Sequence, residues 1–171
     1  NERGAIVVND TCESSVPGVY AVGDVNGGPQ FTYISLDDFR IVFGALTGNG
    51  QYTLKDRKNI PYTTFLTPPL ARVGLTEEDA INKGYTVKTK EMLVATMPRA
   101  HVNDYLKGAF KIVVNADNDL ILGATLYSQG AEELINLIKM AMDNNIPYTY
   151  FKNQIFTHPT MAENLNDLCN F

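Results

Sequence analysis

The pattern of apolar and polar positions opens with two short apolar runs, Ala5–Val8 and Val19–Val22, separated by polar residues and Pro17-Gly18. Their length and β-branched content predict strands. The following segment, GDVNGGPQ (23–30), is too rich in turn residues for a regular element to cross it. A helix is predicted from Tyr33 to Leu46, with Ile34, Val42 and Leu46 among its core positions. Gly48-Asn49-Gly50 ends it, because glycine relieves the strain of the left-handed conformation common after helices. Residues 51–59 are polar, and Lys55-Asp56-Arg57-Lys58 among them predicts a solvated connector.

Beyond Pro61 the pattern becomes that of an α+β domain. Tyr62–Leu66 reads as a strand, interrupted at Pro68-Pro69 and followed by Ala71–Gly74. Thr76 heads a helix, since TEED has capping-box spacing with Asp79 reaching back, and Gly84 closes it. A strand follows over Thr86–Thr96. Ala109–Val114 and Leu120–Tyr127 flank NADND, whose Asn and Asp residues tolerate tight turns, which predicts a hairpin. A helix over Ala131–Asp143 carries a stripe of Leu134, Ile138, Ala141 and Met142. Asn144-Asn145 and Pro147 stop it, a turn covers Tyr148–Lys152, and a last helix runs from Met161 to Leu168.

With 44% hydrophobic and 19% charged residues, the chain can bury a core and does not read as disordered. A net charge of -5 opposes nonspecific nucleic-acid binding, which needs cations to displace counterions from phosphates. No apolar run approaches about 20 residues, so no membrane span is expected. The start, NERGAIVVND, lacks both an initiating Met and the features of a signal peptide. The expectation is a cytoplasmic protein of which this chain is an internal start. Cys12 and Cys169 lie far apart with no CxxC or zinc-ligand spacing, which suggests isolated thiols in a reducing compartment and no metal site.

Two constellations could carry chemistry. VYAVGD ends in Gly23-Asp24, where a carboxylate just after a strand could accept ligand hydroxyls while glycine permits close approach. Taken alone, the dipeptide is better explained as a simple chain turn. In HPTMAE, Pro159 disfavours helical geometry at His158 and so places it ahead of the last helix. Thr160 and Glu163 have capping-box spacing. Glu163 could therefore serve only as a cap, or one oxygen could cap while the other orients the imidazole for proton exchange near neutral pH. His101 sits in a polar stretch with no evident carboxylate partner and is expected at the surface or the core edge. No HExxH, GxSxG or GxGxxG motif occurs.

Taken in order, these runs resemble the pyridine nucleotide–disulfide oxidoreductases. VPGVYAVGDV is similar to their late FAD-binding motif, and PPLARVGLTEEDA to the opening of their dimerisation domain. KGAFKIVVNADNDLILGATLYSQGAEELINLIKMAM resembles that domain's hairpin and long helix, and HPTMAE its terminal His–Glu signature. FTYISLDDFRIV and IFTHPTMAENLNDL look most like the reactive-chlorine-resistance flavin reductases, relatives of mercuric reductase. A single Cys169 in place of paired terminal cysteines counts against a two-thiol mercury handoff.

The resemblance implies an α+β dimerisation domain, an antiparallel sheet flanked by helices, preceded by the tail of an FAD-binding α/β domain. Residues 1–50 would be that tail, 51–60 a linker and 61–171 the dimerisation domain. It implies FAD and NAD(P)H as cofactors of the whole enzyme, a homodimer, and a disulfide, metal or other small oxidant as substrate. Gly23 and Asp24 would meet the ribityl chain, and the backbone at Phe31 and Thr32 a flavin carbonyl. His158, oriented by Glu163, would act on the thiols of the partner subunit. The dinucleotide loops and reactive cysteine pair would lie upstream, so the fragment alone is expected to be inactive and to bind no FAD tightly. The competing expectation is a standalone, non-catalytic homodimerisation module of the same fold.

Overall fold

The hairpin expected around NADND forms in the computed structural model, which describes residues 1–171: β4 (Ala109–Asn115) pairs antiparallel with β5 (Ile121–Tyr127). With β1 (Tyr62–Thr64), β2 (Leu70–Gly74) and β3 (Val87–Leu93) they make a five-stranded antiparallel sheet of order β1-β2-β5-β4-β3. Chain contacts divide the protein into two units, Asn1–Lys58 and Asn59–Phe171, and the sheet belongs to the second.

Helix α4 (Ala131–Asp143) packs on β2 and β5. The expected stripe of Leu134, Ile138, Ala141 and Met142 is buried there, joined by Ala131 and Ile135. Phe110, Ile112, Val114 and Leu126 meet it from the sheet. The chain leaves β2 close against β5: a Cβ on Gly123 would stand 2.1 Å from the carbonyl oxygen of Leu75. Only glycine fits that approach.

Helix α2 (Glu77–Asn82) begins with the expected capping box. The Asp79 amide donates to Thr76 Oγ1 at 3.0 Å, and the Thr76 amide donates to Asp79 Oδ2 at 3.3 Å. Four elements of this unit differ from expectation, the first being β1, which stops at Thr64 rather than Leu66. The strand over Thr86–Thr96 is the seven-residue β3 followed by a 3₁₀ turn at Val94–Thr96, and α3 (Pro98–Val102) follows with proline in its first turn. Tyr148–Asn153 is a helix, α5, rather than a turn. The last helix, α6, spans only Asn164–Leu168, because the amides of Asn164, Leu165 and Asn166 reach back three residues in tighter turns. Lys90 of β3 ties its end to the sheet, donating to the carbonyls of Asp167 and Asn170 at 2.7 and 2.5 Å.

The first unit holds α1 (Thr32–Thr47), closed by Gly48 at φ 72° as the glycine signal requires. Ala5–Val8 and Val19–Val22 are not strands. Each contributes to one isolated bridge, Val8 with Ser14 and Tyr20 with Glu13, and no neighbouring strand extends either into a ladder. The core of α1 also differs: Ile34 is buried, but Val42 is half-buried and Leu46 is 64% exposed. At 3.6 residues per turn Leu46 lies about 120° round the helix from Ile34. The buried face is instead Ile34, Asp38 and Ile41.

Truncating the stripe at its centre, Ile138→Ala, is expected to lower the unfolding free energy by about 2–5 kcal/mol in urea denaturation.

Candidate functional site

Pro159 follows His158 in an irregular segment just before α6, and this keeps the imidazole out of the helix and 70% exposed. Its Nδ1 lies 2.7 Å from Oε2 of Glu163, a side chain only 17% exposed. The other carboxylate oxygen, Oε1, accepts the Thr160 amide at 3.1 Å, and the Glu163 amide donates to Thr160 Oγ1 at 3.2 Å. The Thr160 hydroxyl donates in turn to the Thr157 carbonyl at 2.7 Å. One carboxylate thus caps the chain and holds the ring. An ionised carboxylate only accepts, so Nδ1 carries the proton and Nε2 is left to exchange one with solvent or a ligand.

Two asparagines that sequence reasoning passed over brace this segment. Asn164, 1% exposed, donates to the carbonyls of Thr160 and Met161 at 3.1 Å each. Asn166 donates to Phe151 and Gln154 carbonyls at 2.6 and 2.9 Å, fixing the exit of α5. Their only sequence signal is a pair of asparagines two residues apart beside HPTMAE.

In the first unit, Gly23 and Asp24 open a 3₁₀ turn, Gly23–Asn26. Gly23 has φ 73° and lies so close to α1 that a Cβ would meet Ser35 Oγ at 2.6 Å. Asp24 is exposed, and its carboxylate has no hydrogen-bond partner within the chain. Phe31 and Thr32 mark the start of α1, both exposed, and no side chain caps that end. An exposed carboxylate and a helix amino terminus that no side chain caps offer, respectively, an acceptor for hydroxyls and a partial positive charge for a carbonyl oxygen. This donor and acceptor set fits the ribityl and ring portions of a flavin.

Lys55 and Asp56 are solvated as expected, whereas Arg57 is withdrawn from water and paired. Lys55 pairs with Asp10, and Asp56 accepts the Thr53 amide at 2.8 Å. Arg57, its side chain 10% exposed, donates from Nε to Asp37 at 2.7 Å and from Nη2 to Asp38. Burial works against the Arg57 charge, and its bonds to Asp38 and Asp37 outweigh that and hold its pKa above the ordinary value. Asp38 is fully buried. A charged residue in the i, i+4, i+7 series of Ile34, Asp38 and Ile41 is the signal that could have exposed this pair.

The remaining candidates are inert. His101 is exposed, with Nε2 2.8 Å from the Ala95 carbonyl. Both cysteines are free and buried. Burial pushes Cys169 up to about 12, and Lys90 pulls weakly the other way. Burial and then the Asp38 charge push Cys12 up to about 11. No group of three His, Cys, Asp or Glu residues is placed to hold a metal ion, and no helix is long and apolar enough to cross a membrane.

Comparison with known proteins matches residues 60–169 to the family described as pyridine nucleotide-disulphide oxidoreductase, dimerisation domain. Residues 1–38 match pyridine nucleotide-disulphide oxidoreductase. A probable pyridine nucleotide-disulfide oxidoreductase, RclA of Escherichia coli, is 49% identical over 98% of this chain. Mercuric reductase of Staphylococcus aureus is 34% identical over 96% of it. The chain spans 38% and 30% of the lengths of those relatives. The solved structure of the HOCl-induced flavoprotein disulfide reductase RclA from Escherichia coli superimposes with a TM-score of 0.96 at 48% identity, covering 99% of this chain and 39% of that one.

The buried thiols set an expected outcome. At about pH 8 a thiol-reactive aromatic disulfide should leave both unmodified in the folded chain and titrate both after denaturation, since only thiolates attack. The unfolded chain releases these protons near 9 and the folded chain holds them to about 11 and 12, so their contribution to stability is lost as pH rises above 9.

Proposed function

Because the chain belongs to the pyridine nucleotide-disulphide oxidoreductase family, we propose that it is the flavin-contacting tail and dimerisation region of an FAD-dependent NAD(P)H oxidoreductase. The enzyme reduces a disulfide, an oxidised metal ion or another small oxidant through a thiol pair outside this chain. FAD, when bound, carries electrons from the nicotinamide to those thiols. Asp24 accepts hydrogen bonds from ribityl hydroxyls beside Gly23, and the start of α1 at Phe31 and Thr32 faces a flavin carbonyl oxygen.

His158 is the acid/base of the thiol step. Its Nε2 takes the proton of a partner-subunit thiol, leaving a thiolate and an imidazolium, and returns that proton when the product thiol forms. Glu163 keeps the ring in the tautomer that frees Nε2 and stabilises the imidazolium. The 2.7 Å contact between His158 Nδ1 and Glu163, with the ring otherwise open to solvent, carries this reading. An exposed imidazole needs something outside its own chain to act on, which supports a second subunit as the target. Phe65 and Ile155, 79% and 92% exposed, supply apolar surface that a second copy would cover. Two unpaired cysteines suit a reducing compartment such as the cytoplasm.

In the full-length enzyme, His158→Ala is expected to lower turnover about 10²- to 10⁴-fold with flavin content unchanged. Glu163→Gln should lower it by at least about tenfold, because its amide NH₂ favours the opposite tautomer. Parent-like turnover of His158→Ala over roughly pH 5–9 would remove the acid/base role. Ile155→Asp in the same protein should shift sedimentation from the mass of a dimer towards that of a monomer; an unchanged dimer would exclude this surface from the interface.

A further inference from the structure

Asp38 is a carboxylate with no exposure to water, buried on α1 between Ile34 and Ile41. Such a group is costly unless every lone pair is met by a donor and the charge is balanced. Arg57 balances the charge at Oδ1. The remaining oxygen, Oδ2, is spent entirely on one short segment: it accepts the Gly23 amide at 2.7 Å and Asn26 Nδ2 at 2.9 Å. Those residues are the first and last of the 3₁₀ turn that carries Asp24. Asn26 extends the brace, donating to the Ala21 carbonyl at 3.3 Å and accepting the Gly28 amide at 3.0 Å.

A single buried group therefore grips both ends of the Asp24 turn, and it does so from α1, whose amino terminus is the second flavin-facing feature. Asp24 itself makes no side-chain contact that could hold it. We propose that Asp38, anchored by Arg57, is the positioning residue that sets the Asp24 turn at a fixed distance from the start of α1, so that both address one flavin. This rests on the reading in which Asp24 and α1 meet the flavin end of FAD.

The decisive measurement is calorimetric titration of the flavin-stripped full-length protein with FAD and, separately, with ADP. ADP carries the half of the cofactor that this turn does not touch. Asp38→Ala is expected to weaken FAD binding about tenfold or more and ADP binding by less than about twofold. Asn26→Ala removes one of the two bonds from Asp38 to the turn, together with the bonds of Asn26 to Ala21 and Gly28, and leaves the carboxylate and Arg57 in place; it should show the same split at about threefold. Asp38→Asn keeps an acceptor for the Gly23 amide and is expected to fall between the parent and Asp38→Ala.

Equal losses for FAD and ADP would reduce Asp38 to a general stabiliser of the unit and overturn the proposal. So would parent-like FAD affinity in both Asp38→Ala and Asn26→Ala. If Asp38→Ala does not fold, Asn26→Ala alone decides between these outcomes. Asp24→Ala in the same titration tests the underlying reading separately: unchanged FAD affinity there removes the ribityl assignment whatever the Asp38 variants do.

Discussion

The apolar stripe of α4 has to be covered, and laying it across β2 and β5 determines where the rest of residues 59–171 can go. Strand β5 becomes the centre of the sheet, paired with β2 on one side and β4 on the other. The approach of β2 to β5 leaves room only for glycine at 123. Strand β3 then follows β4, and Lys90 projects from it to catch the carbonyls that end α6. Leu165 and Leu168 of α6 and Phe151 of α5 join the same apolar cluster. His158 lies between α5 and α6 in a segment that Phe156, Met161 and Ala162 pin to the same core, while the imidazole itself stays exposed.

Residues 1–58 carry a different set of contacts. Their buried apolar residues within this chain are Cys12, Ala21, Ile34 and Ile41. Polar contacts tie their loops. Asp38 and Asp37 hold Arg57, Asp38 holds Gly23 and Asn26, and Lys55 holds Asp10. A scaffold of this kind tolerates little substitution, because removing one partner of a buried pair strands the other. It also leaves the local sequence free to carry an exposed acidic group such as Asp24.

Glu163 shows how one carboxylate can close a turn and hold an imidazole. A cap needs one acceptor oxygen, and a carboxylate has two. The second oxygen orients His158, so stability and ring orientation share one residue. Asn164 and Asn166 then lock the surrounding carbonyls, and the imidazole is held at its base while its far nitrogen faces outward.

Local chemistry made much of this legible in the sequence. The capping box at Thr76, the reciprocal Thr160–Glu163 bonds, the glycine stop at Gly48, the NADND hairpin and the α4 stripe all depend on residues within one turn or one helix of each other, so spacing alone reveals them. The same holds for the double use of Glu163, which needs only five residues of chain. What spacing could not show depends on distant neighbours. Ala5–Val8 and Val19–Val22 have strand composition, but a strand exists only where another pairs with it, and none does here. Leu46 looks like core by residue type, yet the face of α1 that turns inward is Ile34, Asp38 and Ile41, where Asp38 pairs with Arg57, 19 residues away in sequence. The amino-acid sequence by itself determined the hairpin, the α4 stripe, the cap at Thr76 and the spacing that joins His158 to Glu163. Only the tertiary structure decided which charges were buried and what they hold, because desolvation depends on the whole surrounding of a group and not on its neighbours in the chain.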